Sequence, residues 1–183
     1  ITQKINQILS DIKLEDSELK LEGLVEEKEI FPTPNMNLLS GSCLEELPKI
    51  TPEIYNLTIT SPPYCNRYDY TRTYALELIF LGCDNEKVKE LRQTMLSCTV
   101  ENKEKIEFLK EFYLRLGRLE DFIRVLSVYE GSEAMSEVNS ILNLLKSSDR
   151  LNNDGIARMV KNYFLELCFV IMELARVSQS GGK

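Results

Sequence analysis

Asn56-Leu57-Thr58-Ile59-Thr60-Ser61-Pro62-Pro63-Tyr64 joins a short apolar, β-branched run to a serine, two prolines and an aromatic residue. Leu57 to Thr60 has the length and residue types of one buried strand. Pro62 and Pro63 end it, because neither has an N–H to give to a ladder. Ser61 is held extended by the proline that follows it. The stretch therefore reads as a stiff loop at the carboxyl end of a strand, where open α/β sheets bind their ligands. Ser61 brings a hydroxyl that donates and accepts, Pro62 a carbonyl, and Tyr64 a flat face. That set suits a planar group with an exocyclic amine: two acceptors for its N–H groups and a ring to stack on.

Ser61-Pro62-Pro63-Tyr64 after an apolar strand resembles the catalytic motif of the amino-methylating DNA methyltransferases. The resemblance implies transfer of a methyl group from S-adenosylmethionine to the exocyclic amine of a flipped base in double-stranded DNA. Ser61, Pro62, Pro63 and Tyr64 are then the catalytic residues. The fold it implies is α/β: part of a Rossmann-like methyltransferase sheet, made helix-rich by a large insertion. The enzyme would belong to a bacterial restriction-modification system. Serine at the first motif position resembles the N4-cytosine enzymes more than the N6-adenine ones, and adenine stays open.

The flanks extend the likeness from about Leu38 to Gly82. Asn37 to Ser40 reads as a short strand, Gly41-Ser42-Cys43 as a turn and Leu44 to Leu47 as a short helix, so a βαβ unit leads into the motif. This is similar to the Gly-Asp-x-Leu element of the family, with Ser42 in place of the acid. By that likeness Gly41 and Ser42 touch the cofactor; as local structure they are an ordinary β–α turn. After the motif, Arg67 and Arg72 interleave with Tyr68, Tyr70 and Tyr74. Rings for stacking and guanidiniums for phosphates make Arg67, Tyr68, Tyr70 and Arg72 the candidate DNA contacts. The alternative is a structured loop with its rings in the core and its arginines on nearby acids. Glu77 to Gly82 resembles the helix that follows the motif in a subset of these enzymes.

The remainder is helical. Residues 1–34 read as a helix, Thr2 to Ile12, followed by an acidic arm, and 35–84 as the first part of the catalytic domain. Residues 85–153 read as a helical insertion, with amphipathic segments at Glu86–Met95, Val100–Leu116, Leu119–Val128 and Ser132–Leu145. Residues 154–183 return to the catalytic domain through a long helix, Ile156 to Val177. Its end is similar to the family's Arg-Val-Leu-Lys-Pro-Gly-Gly at Arg176, Val177, Gly181 and Gly182, and differs at Ser178, Gln179 and Ser180.

Composition bounds the chemistry. The 183 residues contain no histidine, which removes histidine bases, Ser-His triads and histidine-ligated zinc. Five cysteines without paired metal spacing read as free thiols of a reducing cytoplasm, with no metal expected. No signal peptide and no apolar run of transmembrane length is visible. A net charge of −7 argues against a free-standing nucleic-acid binder. The glycine-rich loop and ribose-binding acid that the cofactor needs are not found. In one circular arrangement of the family the catalytic motif precedes that loop, so the expectation is a front part, with the cofactor loop downstream or on a second chain. A start at Ile1 and an end at Gly181-Gly182-Lys183 fit a piece of a longer protein. The rival from another class is a non-catalytic helical interaction or regulatory module that carries a proline turn.

Overall fold

The computed structural model describes residues 37–66 and 68–183; residues 39–183 form a unit of their own. The helix expected at Thr2 to Ile12 and the expected acidic arm lie outside the described residues, as does Arg67. Among the described residues eight α-helices follow one another: α1 (Cys43–Glu46), α2 (Tyr70–Thr73), α3 (Ala75–Phe80), α4 (Asn85–Thr94), α5 (Ile106–Arg115), α6 (Leu119–Glu130), α7 (Glu133–Ser147) and α8 (Gly155–Val177). A 3₁₀ turn, Leu47–Lys49, continues α1. Side-chain caps fix several starts. Asp69 accepts from the Thr71 amide, Asp84 from Lys87 and Ser132 from Met135, each supplying an acceptor to a first-turn N–H that has none within the helix.

α8 runs through the middle. It packs against α1, the 3₁₀ turn, α6 and α7, and α5 packs on α6. Leu109, Phe112 and Tyr113 of α5, Phe122, Val125 and Tyr129 of α6, and Leu165, Phe169 and Val170 of α8 form the core, joined by Leu44 and Leu96. The aromatic rings of Tyr113, Phe122 and Phe169 meet at centroid separations of 5.4–6.3 Å. The apolar stripes expected in 100–116, 119–128 and the last helix thus supply the core, whereas α4 and α7 have no buried residue and Ile141 of the stripe expected in α7 is exposed. One helix start differs. Val100–Leu116 becomes helical only from Ile106, because Asn102 turns its side chain back onto Thr99 N (3.0 Å) and Arg92 O (2.6 Å) and holds residues 97–105 as a loop.

α8 also carries two buried carboxylates. Glu166, 2% exposed, accepts from Ser97 N (2.8 Å), Ser97 Oγ (2.6 Å) and Lys105 Nζ (3.0 Å). Glu173 accepts from Tyr113 Oη (2.8 Å), Arg118 Nη2 (2.7 Å) and Arg176 Nε (2.6 Å). The same two arginines donate to the carbonyls of Pro48 and Leu47, so one carboxylate fastens the 3₁₀ turn, the α5–α6 corner and the end of α8. Each burial is tolerable only because nearly every lone pair has a donor.

No strand forms among the described residues. The chain after α8 does return beside residues 53–58 and runs parallel to them. Ile54 N donates to Val177 O (2.9 Å), Gln179 N to Tyr55 O (2.8 Å), Lys183 N to Asn56 O (3.0 Å) and Thr58 N to Lys183 O (2.8 Å). A Cβ at Gly182 would stand 2.9 Å from Gln179 O and 3.3 Å from Asn56 O, so this close approach requires glycine. The ladder stops at Thr58. Leu57 is 60% and Ile59 88% exposed, so the expected buried strand is an extended, unburied segment here. Pairing is what makes a strand, and beyond Thr58 the described residues supply no partner backbone.

The buried pair gives a direct test. Lys105→Met or Glu166→Leu alone strands one buried charge and lowers the unfolding free energy by about 3–5 kcal/mol. The double variant recovers most of that loss in urea unfolding, as a double-mutant cycle reads coupling.

Candidate active site

Ser61-Pro62-Pro63-Tyr64 lines a cleft of about 620 Å³, within the range of about 300–1,000 Å³ typical of small-molecule sites. Gly41, Ser42 and Cys43 form one wall, Tyr70 and Tyr74 another, and Met95 and Leu96 complete it. The expected catalytic residues, the expected cofactor residues and one of the expected DNA-contact residues thus meet at one place. None of the lining side chains is charged. Such a wall suits a neutral planar heterocycle far better than a phosphate.

The local geometry follows from the prolines. Lacking N–H groups, Pro62 and Pro63 donate no backbone hydrogen bonds. The loop curls through Asn66 N, which donates to Tyr64 O at 2.9 Å. The Ser61 hydroxyl and the Pro62 carbonyl have no hydrogen-bond partner among the described residues, and Tyr64 is 67% exposed. Two unengaged acceptors and an uncovered ring therefore face solvent. From below, Tyr163 Oη of α8 donates to Pro63 O at 2.7 Å.

Tyr68 and Tyr70 contact each other edge to face, with centroids 4.9 Å apart. Arg72 lies near Asp69 (3.1 Å) and Glu101 (3.2 Å), the arrangement in which arginines of this loop sit on nearby acids. Behind it, Asp69 takes the Thr71 hydroxyl (2.6 Å) and lies 3.1 Å from Arg92 Nε, and Arg92 also donates to Thr71 Oγ1. Burial pushes the Asp69 carboxyl up. The Thr71 hydroxyl, Arg92 and the amides of Arg72 and Thr71 outweigh it, and hold the carboxyl below its ordinary value. Burial, with a smaller push from Cys98, raises the Cys65 thiol to about 11. That thiol is protonated at neutral pH, and a methyl transfer without a covalent intermediate asks nothing of it.

Met95, Leu96, Cys43 and Tyr163 escaped sequence reasoning as site residues, and Tyr74 was noticed only as one of the tyrosines interleaved with Arg67 and Arg72. Met95 and Leu96 look like ordinary helix-end residues, and Tyr163 like one more apolar position of α8. Only their tertiary placement distinguishes them. Ser42 was read as a turn residue and as a cofactor contact. Its Oγ is buried and has no hydrogen-bond partner, and an orphaned hydroxyl in a cleft wall is suited to a ligand. For S-adenosylmethionine the fit is partial. Ser42 and the bare Gly41 backbone can meet the reacting end, whereas no acidic side chain for a ribose lines the cleft. Among the described residues no group of three or more Cys, Asp or Glu side chains could hold a metal. No helix there is long and apolar enough to cross a membrane.

The Asp69 cap has a pH signature. Its folded value lies below the ordinary 3.8. Its contribution is therefore complete above 3.8 and lost as pH falls through the folded value. Asp69→Asn lowers stability by about 1–3 kcal/mol at neutral pH through lost charged hydrogen bonds. The gap to the wild type narrows as unfolding is followed to below pH 3.8.

No family model matches the chain, and no solved structure does. Curated relatives do match. Over 146 residues, 80% of its length, the chain is 47% identical to Type II methyltransferase M.BsoBI of Geobacillus stearothermophilus. Over the same length it is 44% identical to Type II methyltransferase M.AvaI of Nostoc sp. and of Anabaena variabilis. It spans 29% of the first and 28% of the second. By this likeness the chain is homologous to a segment of the Type II methyltransferases.

Proposed function

We propose that this chain carries the base-binding catalytic loop of a site-specific DNA methyltransferase of a bacterial restriction-modification system. The acceptor is the exocyclic amine of a flipped base, cytosine N4 in the first instance and adenine N6 as the alternative. The observation that carries the reading is the uncharged cleft in which the Ser61 hydroxyl and the Pro62 carbonyl stand unengaged beside the open face of Tyr64. Its support is the likeness to relatives named Type II methyltransferases.

Unstacking a base costs a few kcal/mol, offset by contacts in the pocket. The base stacks on Tyr64, and its amino hydrogens point to Ser61 Oγ and Pro62 O. That pairing turns the nitrogen lone pair away from both acceptors and toward the Gly41-Ser42 wall. S-adenosylmethionine, when bound, supplies an electrophilic methyl group, with Gly41 and Ser42 against its reacting end. The acceptors also favour the positive charge that grows on nitrogen during transfer. Most of the acceleration comes from holding two reactants in line. No histidine base is required, which agrees with a chain that has none.

On this reading residues 35–84 are the front of a Rossmann-like catalytic domain, 85–153 its helical insertion, and 154–183 the return to the sheet. The parallel run of 53–58 beside 176–183 is the start of that sheet. The exposed side chains of Leu57 and Ile59 are where it continues. The cofactor loop belongs to a segment outside this chain, downstream or on a second polypeptide. Arg67, Tyr68, Tyr70 and Arg72 are then the DNA contacts, Arg72 with its guanidinium now on Asp69 and Glu101. An interaction module is the second reading. It is favoured by the apolar side chains that α3 leaves in solvent, Leu76, Ile79 and Phe80.

Ser61→Ala separates the two. It removes one acceptor and touches no packing, so methyl transfer by the full-length protein falls by about 100-fold or more, while the unfolding midpoint is unchanged. An interaction module shows no methyl transfer to lose.

A further inference from the structure

We infer that Tyr163, on α8, is a positioning residue for methyl transfer: its hydroxyl fixes the Pro63 carbonyl and thereby the place of Ser61 and Pro62. The inference rests on the reading of the cleft as the base pocket. Three observations carry it. The Tyr163 hydroxyl lies 2.7 Å from Pro63 O, across 100 residues of sequence. Among the described residues this is the only hydrogen bond from another element to the Ser61–Tyr64 segment. The remaining bond of that segment, from Asn66 N to Tyr64 O, is internal to the loop. Tyr163 itself is held firmly. It is 6% exposed, and its ring meets Phe164 edge-on at 5.1 Å.

The need for such an anchor follows from the motif. Two consecutive prolines stiffen the loop but remove the two amides that would otherwise tie it to its surroundings. Stiffness fixes the shape of the loop and leaves its place undetermined. A donor from a rigid element on the far side can fix the place, and the carbonyl of the second proline is the acceptor available to it. Burial, with Cys65, Cys98 and Tyr70 nearby, raises the tyrosine's titration above its ordinary value, so the hydroxyl stays a donor through neutral pH. One turn further along α8, Glu166 is locked to Ser97 and Lys105, so the anchor point is itself immobile. Displacing a reacting group by about 1 Å can cost on the order of 100-fold in rate.

The test is Tyr163→Phe in the full-length protein, which keeps the packed ring and deletes only the donor. Methyl transfer from labelled S-adenosylmethionine to substrate DNA is measured at saturation and under KM conditions, beside Ser61→Ala. The expected result is a fall in kcat of about 10–100-fold, with KM for DNA and for S-adenosylmethionine within about twofold of the wild type. The thermal midpoint moves by less than about 4 °C, the shift that roughly 1 kcal/mol produces in a domain of this size. A loss under fivefold, or one that lies in KM, or one that disappears on normalising to folded protein, overturns the assignment. Ser61→Ala inactive with Tyr163→Phe at full rate contradicts the Tyr163 role alone. Ser61→Ala at full rate contradicts the reading of the site and takes the Tyr163 role with it.

Discussion

A carboxylate buried halfway along the longest helix organises this chain. Glu166 sits among apolar side chains and is tolerable there only because Lys105 and both donors of Ser97 close on it. Satisfying it draws Ser97 and Lys105 against α8, and Asn102 between them holds 97–105 as a loop up to the start of α5 at Ile106. That loop places Leu96 against the core and at the edge of the cleft. It also brings Asn102 under α4, from which Arg92 reaches Asp69 and Thr71. Two polar clusters, one around Glu166 in the middle of α8 and one around Asp69 after Ser61-Pro62-Pro63-Tyr64, are thus joined through the backbone of the 97–105 loop.

This division of labour explains how a helix-rich chain supports a site built on a proline loop. The loop has little of its own to hold it: no amides on the prolines, an exposed serine and an open tyrosine ring. Its surroundings are rigid on one side, where α8, the 97–105 loop and α2 meet. On the other side the apolar residues Leu57 and Ile59 face solvent, and the backbone ladder with 176–183 ends at Thr58. Rigidity below and uncommitted acceptors above are what positional catalysis asks of a protein.

Much of this was legible in the sequence, and the parts that were not share a cause. The helices of 106–177 were legible because their apolar spacing is local. The proline loop was legible because proline acts on its own backbone. The start of α5 was misread because apolar periodicity is blind to Asn102, whose side chain bonds Thr99 and Arg92 instead of facing water. Leu57 to Thr60 has the composition of a buried strand, but composition does not supply the neighbouring strand that burial requires. Glu166 and Glu173 stand in the sequence as two charges in an apolar helix; as partners of Lys105 and Arg118 they are its fastening points. Tyr163, Met95 and Leu96 join the site only through tertiary contact, and a sequence has no local mark for that. Gly182 was noticed as part of a family ending; the physical reason is the Asn56 carbonyl 3.3 Å from where its Cβ would be.

The central claim is that the Ser61–Tyr64 cleft presents the exocyclic amine of a DNA base to a methyl donor. The most direct measurement incubates the full-length protein with DNA of mixed sequence and S-adenosylmethionine labelled in its methyl group, then digests the DNA to nucleosides. Label in N4-methylcytosine is the predicted result, and label in N6-methyladenine keeps the site while changing the base. Label at a ring carbon such as cytosine C5, or no label in DNA at all, contradicts the account.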